Sequence, residues 1–446
     1  MSFERLKPKV HLFLAWLAYW WYGRPAQKLI VIGVTGTKGK STTCRLIASA
    51  LEAGGHKVGL LSTVEFQIGE RKWLNDKKMT MLGRGEIQRL LREMVQSGCR
   101  YVIVETSSEG ILQYRHYGLL YDIAVFTNLG TEHSERHGGF DNLRRDKGKM
   151  FAALGAPAKK INSERIKKIS IVNSDDVHSL YFMGFPAEEH WVFGLMHRPA
   201  KAGIKNIDGQ LVESTGHGSQ FTANGELYHL PLAGDFNVYN ALAAIAVAQS
   251  QGVASSKIAQ GFSRVTGVPG RMEFIDAGQP FKAIVDYAHE PISIRALFKT
   301  LRNIVKDDGK VIGIIGSDGG GRDIGKRSTM GEIAGTLADI VIVTDVNCFE
   351  EDPGQIAEML AKGARTAGKK DGFDLFIEVD RRLAIRHALS FAKPGDVVVV
   401  TAKGTEQCIV VTKGRKIPWD DRTVMREELE ALRKSARYEK TLFRGL

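Results

Sequence analysis

From Leu29 onward, short apolar runs alternate with stretches whose apolar positions recur every three or four residues. That is the pattern of buried strands separated by amphipathic helices. Leu29 to Val34, Val58 to Ser62, Tyr101 to Glu105 and Ile123 to Phe126 read as strands, and Lys40 to Ala53 and Glu86 to Gln96 as helices. The order predicts βαβ units and a mainly parallel sheet. In such sheets ligands bind beyond the carboxyl ends of the strands, the end from which Gly36 to Ser41 and Glu105 both emerge, so the two are expected to share a site.

Between about Lys201 and Tyr228 the chain turns polar and Gly-rich, with short alternating runs that predict strands and turns decorating the same domain. Asn240 to Gln251 reads as a helix. The stretch Gly267 to Arg271 marks a boundary, after which strands are expected at Ala283 to Asp286, Val311 to Ile315, Ile340 to Thr344, Leu375 to Glu378 and Asp396 to Thr401. The expected class is α/β: an aromatic helical segment over 1–28, a parallel-sheet nucleotide-binding domain over 29–268, and a Rossmann-like α/β domain over 269–446. No internal repeat or low-complexity segment interrupts this order.

The run from His11 to Tyr22, after Lys7 and Lys9, is apolar and aromatic. It is shorter than the roughly 20 residues a membrane-crossing helix needs, and no small-residue cleavage site marks it as a secretory signal. It reads either as a helix packed on the protein body or as a helix docked at a membrane surface. Trp16, Trp20, Trp21 and Tyr22 are residue types that favour the headgroup region.

At 446 residues the chain is long enough for two or three domains. Cys44, Cys99, Cys348 and Cys408 form no C-x-x-C pair, which argues against a disulfide framework or zinc ribbon and for a reducing cytoplasm, with or without membrane association. The formal charge of +12 admits nucleic acid, a membrane surface or phosphate-bearing substrates. The basic residues are dispersed, without an arginine-rich tail or an RNP-type aromatic motif, so no nucleic-acid partner is expected.

The strongest chemical signal is Gly36-Thr37-Lys38-Gly39-Lys40-Ser41, with Thr42 following, between a strand and a helix. Glycines let the backbone curl so that its N–H groups face phosphate oxygens, while Lys40 adds charge and Ser41 can hold Mg²⁺. Val34 stands at the first position of the eight-residue Walker pattern, so this is a shortened form. Glu105 reads either as a solvated strand end or as a carboxylate near Mg²⁺. His133, beyond the strand ending at Phe126, reads as structural or as a metal or phosphate contact.

These pieces, in this order, resemble the Mur ligase family, in the branch that adds the third amino acid to the muramyl peptide. The similar stretches are Gly36 to Ser41, Glu105 to Ser108, Phe126 to Leu129 with His133, His137 and Gly138, and Lys147 ahead of Phe151. They continue with Val172 to Asp176, Gly234 to Asn240, Pro269 to Glu273, Asp286 to His289, Gly319 to Arg327, Lys403 to Glu406 and Asp420 to Arg422. The resemblance implies an ATP-dependent ligase that joins a carboxylate to an amino acid through an acyl phosphate. It implies two Mg²⁺ sites built from Ser41, Glu105, His133 and a carbamylated Lys147. It also implies nucleotide contacts from the glycine turn, Asn237, Asn240, Arg271, Asp286 and His289. Catalytic roles fall to Lys40, Lys147, His133 and Arg271. Substrate contacts fall to Thr80, Ser107, Arg115, Asn347, Phe349, Lys403 and Glu406.

The sequence departs from the family in places. UDP-substrate members carry a uridine-binding domain ahead of the glycine turn, where this sequence has the Trp-rich segment, which raises a lipid-linked or otherwise uridine-free acceptor. Members that add meso-diaminopimelate read Asp-Asn-Pro-Arg where this chain reads Val346-Asn347-Cys348-Phe349. Phe349 supplies no guanidinium for a distal carboxylate. Glu109 and Thr405 each replace a family His, and Met81-Leu82 replaces Thr-Pro. Two other readings are a folylpolyglutamate- or cyanophycin-synthetase-like ligase and a non-catalytic nucleotide-binding partner subunit. The joint presence of Lys40, Glu105, His133 and Lys147 favours catalysis. The identity of the acceptor and of the amino acid, and the oligomeric state, do not follow from these residues.

Overall fold

A computed structural model describes residues 3–77, 79–130, 137–197, 202–215, 218–305, 308–321 and 324–442. The chain divides into two compact units, Met1–Thr266 and Gly267–Leu446.

The first unit opens with α1 (Phe3–Trp21), then β1 (Ile30–Thr35), α2 (Lys40–Ala53), β2 (Val58–Leu61), β3 (Glu65–Ile68) and β4 (Arg71–Leu74). It continues with α3 (Arg84–Gln96), β5 (Tyr101–Glu105), α4 (Ser108–Leu112), β6 (Ile123–Phe126) and α5 (Phe140–Ala152). A small hairpin follows, β7 (Lys160–Ile161) and β8 (Glu164–Arg165), and then β9 (Ile169–Asn173), α6 (Ser179–Met183) and β10 (Glu189–Gly194). The unit ends with β11 (Ile204–Thr215), β12 (Gly218–Ala223), β13 (Glu226–Leu230), α7 (Phe236–Ser250) and α8 (Ser255–Ser263). One sheet runs in the order β13-β12-β11-β10-β9-β6-β1-β5-β2-β3-β4. Its interior from β11 to β2 is parallel and its two margins are antiparallel.

β1 is buried along its whole length because helices cover both faces of the sheet, which is why its sequence is an unbroken apolar run. It lies between β5 and β6, with Val34 opposite Glu105 and Thr35 opposite Phe126. Three strand ends therefore open at one level around the turn that follows β1, the switch point where such sheets bind ligands. The polar stretch, expected to form strands and turns of the same domain, forms the margin of its sheet. β11 joins β10 in parallel and turns back through β12 and β13, with a register shift between Leu211 and Glu213. Helix α7 starts at Phe236, ahead of the expected Asn240, and is buried at nearly every position. It lacks an amphipathic stripe because it is packed all round.

The second unit carries β14 (Glu273–Phe274), β15 (Lys282–Val285), α9 (Pro291–Ile304), β16 (Val311–Ile315), α10 (Gly325–Leu337) and β17 (Ile340–Val343). Then come α11 (Pro353–Thr366), β18 (Leu375–Ile377), α12 (Arg381–Phe391), β19 (Val397–Val400), the pair β20 (Cys408–Val410) and β21 (Lys416–Pro418), and α13 (Asp421–Leu442). Its sheet runs β14-β15-β19-β16-β17-β18, parallel except for β14. Ile312, Ile314, Ile342, Val398 and Val400 fill its core against Ile385, Leu389 and Met425. A buried ion pair ties α12 to α13. Arg381 Nε and Nη2 donate to the two carboxylate oxygens of Asp421 at 2.8 and 2.7 Å. Thus both units are α/β with largely parallel sheets.

Candidate active site

The turn after β1 is a glycine-shaped cradle. Gly36 and Gly39 have φ of +152° and +81°. A Cβ on Gly36 would lie 2.0 Å from Thr127 Oγ1, and one on Gly39 2.2 Å from Asn240 Oδ1. Both positions therefore exclude larger side chains. The strand-end residues after β6 hold the turn. Asn128 accepts from the Lys38 amide at its Oδ1 (2.9 Å) and from the Thr37 amide at its backbone carbonyl (2.9 Å). Thr127 Oγ1 and Asn128 Nδ2 both donate to the Lys38 carbonyl, at 2.8 and 3.1 Å. Thr37 Oγ1 accepts from the Gly130 amide at 2.8 Å. The turn leads into the first turn of α2, where Lys40, Ser41 and Thr42 lie. Amides there have no intrahelical partners and carry the positive end of the helix dipole.

Lys40 Nζ folds back to donate to the carbonyls of Gly36 (3.1 Å) and Thr37 (2.9 Å). Lys147, on α5 and buried, donates to the same Gly36 carbonyl at 2.8 Å. Glu105, also buried, accepts at Oε2 from Ser41 Oγ (2.9 Å) and from the Thr63 amide (2.7 Å). Thr63 Oγ1 in turn donates to Thr80 Oγ1 at 3.0 Å. A hydroxyl and a carboxylate side by side at a helix N-terminus form an all-oxygen donor set that suits a hard divalent cation such as Mg²⁺. The set therefore fits the ion, with Glu105 able to meet it directly or through water. His133 lies outside the described residues. Its neighbour His137 pairs through Nδ1 with Asp146 at 2.7 Å in a buried contact that anchors α5, the helix of Lys147.

Asn240 and Asn237 form a chain beneath the turn. Thr43 Oγ1 donates to Asn240 Oδ1 (3.1 Å), Asn240 Nδ2 to Asn237 Oδ1 (3.0 Å), and Asn237 Nδ2 to the Ala233 carbonyl (2.8 Å). Nearby, Tyr239 donates to Asp175 at 3.0 Å, and burial together with that carboxylate pushes its hydroxyl up to about 12. Ser107 caps α4 by accepting from the Gly110 amide at 3.1 Å. Arg115 donates to the Met81 carbonyl and, at 2.6 Å, to Gln113 Oε1, which places it beside the strand-to-helix segment carrying Thr80.

The second unit gathers its candidates in two places. Near its start, Asp286 accepts from the amides of Met272 and Ala288 at 2.7 Å each. Arg271 lies over the Tyr287 ring at 4.2 Å, and His289 Nδ1 bonds the Tyr287 carbonyl at 2.7 Å. Beyond β17, Asn347 donates to Asp318 (2.8 Å) and Glu406 (3.2 Å), while fully buried Lys403 donates to Asn347 (3.1 Å) and Glu406 (3.0 Å). Phe349 follows in a left-handed conformation, φ +51°, its amide donating to Val410 O at 3.3 Å. Thr127 falls within the Phe126 to Leu129 stretch that carries the resemblance, whereas Thr63 and Asp318 lie outside every stretch read from the sequence. Thr63 stands just past the end of β2 and Asp318 directly precedes the Gly319 stretch, and those positions are the signal by which each can be found.

Two family models match the chain: "Mur ligase middle domain" over residues 34–248 and "Mur ligase, glutamate ligase domain" over 270–404. A UDP-N-acetylmuramyl-tripeptide synthetase of Roseiflexus sp. (strain RS-1) is 40% identical over 432 residues, covering 95% of this chain and 83% of that one. A UDP-N-acetylmuramoyl-L-alanyl-D-glutamate--2,6-diaminopimelate ligase of Geobacillus thermodenitrificans is 37% identical, covering 94% and 83%. A solved structure of a ligase of the latter name superposes with a TM-score of 0.60 at 28% identity, over 91% of this chain and 79% of that one. The Mycobacterium tuberculosis folylpolyglutamate synthase shares the fold, with a TM-score of 0.63 at 16% identity over 88% and 92%.

Proposed function

The chain belongs to the Mur ligase family and is an ATP-dependent ligase that joins an amino acid to a peptidoglycan-type precursor; we propose that it does so through an acyl phosphate formed at the turn 36–41. The observation that carries this reading is the convergence of Lys40, Lys147 and the Ser41–Glu105 pair on one glycine turn.

A carboxylate is a poor electrophile. In the proposed route an oxygen of the acceptor carboxylate attacks the γ-phosphorus of ATP, the bond to the β-γ bridging oxygen breaks, and ADP leaves. The neutral amino group then attacks the acyl carbon; the C–O bond to phosphate breaks, inorganic phosphate departs, and the nitrogen, made cationic by the attack, releases a proton to solvent as the amide forms. Lys40 and the amides of the turn receive the β- and γ-phosphates in line with the attacking oxygen. Mg²⁺, when bound, screens the repulsion between the anionic reactants.

Ser41 and Glu105 are assigned to one Mg²⁺, with His133. Lys147 is assigned to a second, as its carbamate. That group forms when the neutral amine adds CO₂ and loses a proton, which turns a cation into an anionic oxygen ligand. Asn237, Asn240, Arg271, Asp286 and His289 are assigned to the nucleotide, with Arg271 opposing developing phosphate charge. Thr80, Ser107 and Arg115 are assigned to the acceptor, and Asn347, Phe349, Lys403 and Glu406 to the amino acid. Phe349 makes a second distal carboxylate on that amino acid an unfavourable fit. A membrane-surface contact through residues 11–22 belongs to the same reading.

The test is phosphate release from ATP and Mg²⁺, screened over amino acids with muramyl, lipid-linked and peptide acceptors, with product mass as the second readout. Release that depends on both partners is expected, falling on the order of 100-fold or more in Lys40→Ala. Equal turnover by that variant would overturn the proposal.

A further inference from the structure

Helix α1 presents its apolar side outward. It packs on the first unit through a narrow stripe in which Ala15 is 2% and Tyr19 9% exposed. The Tyr19 ring meets Tyr117 edge-on at 6.0 Å, and Gly118 leaves room for it, since a Cβ there would lie 2.4 Å from the Tyr19 ring. Around the rest of the helix Phe13, Leu14, Trp16, Leu17, Trp20 and Trp21 are exposed, Trp21 to 76%. A helix of a water-soluble protein has the reverse arrangement, with its apolar stripe turned inward and its polar face outward. A contiguous apolar patch of this kind marks an interaction site.

The row is ordered. Phe13 stacks near Trp16 at 6.1 Å, Trp16 lies 6.4 Å from Trp20, and the Arg24 guanidinium sits 4.6 Å over the Trp20 ring. Arg5, Lys7 and Lys9 precede it and Arg24 and Lys28 follow it, and no Asp or Glu occurs from Arg5 to Leu51. Among the described residues no helix is long and apolar enough to cross a membrane.

We propose that α1 lies in the plane of an anionic lipid surface, its Trp-rich side immersed at headgroup depth and its flanking cations on the phosphates. Trp is the side chain that prefers that depth, and the flanking cations Lys9, Arg24 and Lys28 complement acidic headgroups. A protein groove reads one stripe at i, i+3, i+4 and i+7. Here neighbours are apolar together, as in Leu12-Phe13-Leu14 and Trp20-Trp21, which suits a continuous apolar medium. Tyr117 and Gly118, against which α1 rests, belong to the same short segment as Arg115. If the assignment of Arg115 to the acceptor holds, a lipid-borne acceptor would reach the site from the surface on which α1 lies.

The test is co-flotation of the full-length protein with vesicles of phosphatidylcholine alone and of phosphatidylcholine with phosphatidylglycerol, without nucleotide, followed by tryptophan emission. Binding to the anionic vesicles, a blue-shifted emission and weakening by salt are expected. Trp16→Ser, Trp20→Ser and Trp21→Ser together should reduce binding at least about tenfold, as should Lys9→Glu with Arg24→Glu. ATP binding by the triple variant reports that its fold is intact. No binding, or undiminished binding by the triple variant, would overturn the proposal. So would an α1-dependent dimer in size-exclusion chromatography that loses its dimer in the triple variant and ignores lipid. Because no nucleotide is present, the result is independent of whether Lys40→Ala abolishes ligation.

Discussion

The ammonium of Lys147 and the carbonyl oxygen of Gly36 meet at 2.8 Å across a chain separation of 111 residues. The lysine is buried on α5, so its amine is fixed against the turn that the nucleotide is proposed to occupy. Lys147→Ala is expected to lower ligation by roughly 100-fold or more while leaving the fold intact. If the active form is the carbamate, the wild-type rate will rise with bicarbonate and the residual rate of the variant will not. Steady-state assays across a bicarbonate series decide it.

Gly39 combines a φ of +81° with a Cβ path that ends 2.2 Å from Asn240 Oδ1. Gly39→Ala should therefore distort the turn at a cost of about 1–2 kcal/mol from backbone conformation alone, with the clash added. Calorimetry should find ATP binding weakened by about tenfold or more. Asn240→Ala in the same chain should not restore binding, because it also removes the Thr43–Asn240–Asn237 chain beneath the turn and an assigned nucleotide contact.

In the second unit the Arg381–Asp421 pair is almost completely shielded from water, the side chains being 1% and 0% exposed. Removing one partner leaves the other charge buried alone. Asp421→Ala should destabilise this unit by about 3–5 kcal/mol in denaturant titration, whereas replacing both residues with apolar ones of similar volume should cost less.

His116 is largely buried, and its Nδ1 has no hydrogen-bond partner among the described residues. Burial, with Lys149 adding to it, lowers its pKa to about 4. The folded state therefore keeps the imidazole neutral while the unfolded chain takes up a proton below about 6.5. The unfolded state binds more protons between those values, so stability should fall as pH drops from about 6.5 to about 4, by about 3 kcal/mol in all. In His116→Leu that segment of the stability curve should flatten.

The strands and helices were largely readable along the chain, since each depends on periodicity within a few residues. Lys40–Ala53, Tyr101–Glu105, Ile123–Phe126 and Val311–Ile315 occupy the spans their apolar patterns predict. Edges were less so: α3 starts at Arg84 rather than Glu86, and α7 at Phe236 rather than Asn240, because a helix start depends on how the preceding turn packs. The glycine turn was legible for the same local reason, as backbone curvature is encoded by adjacent glycines.

What no local pattern held was the company the turn keeps. Thr63 against Glu105, Asn128 against Lys38, Asn240 beneath Gly39 and Lys147 on Gly36 join residues far apart in the chain. By itself Lys147 reads as a surface lysine, and only resemblance to a family gave it a role. Sheet order decides these meetings: β1 is flanked by β5 and β6, so three remote strand ends open beside one another. The outward turn of the apolar side of α1 is likewise a tertiary fact. The segment's composition predicts an apolar helix, but only its packing through Ala15 and Tyr19 determines which side is left for a partner. Local backbone preferences act over a turn or a strand, whereas these contacts depend on how remote elements pack together, and that information is spread over the whole chain.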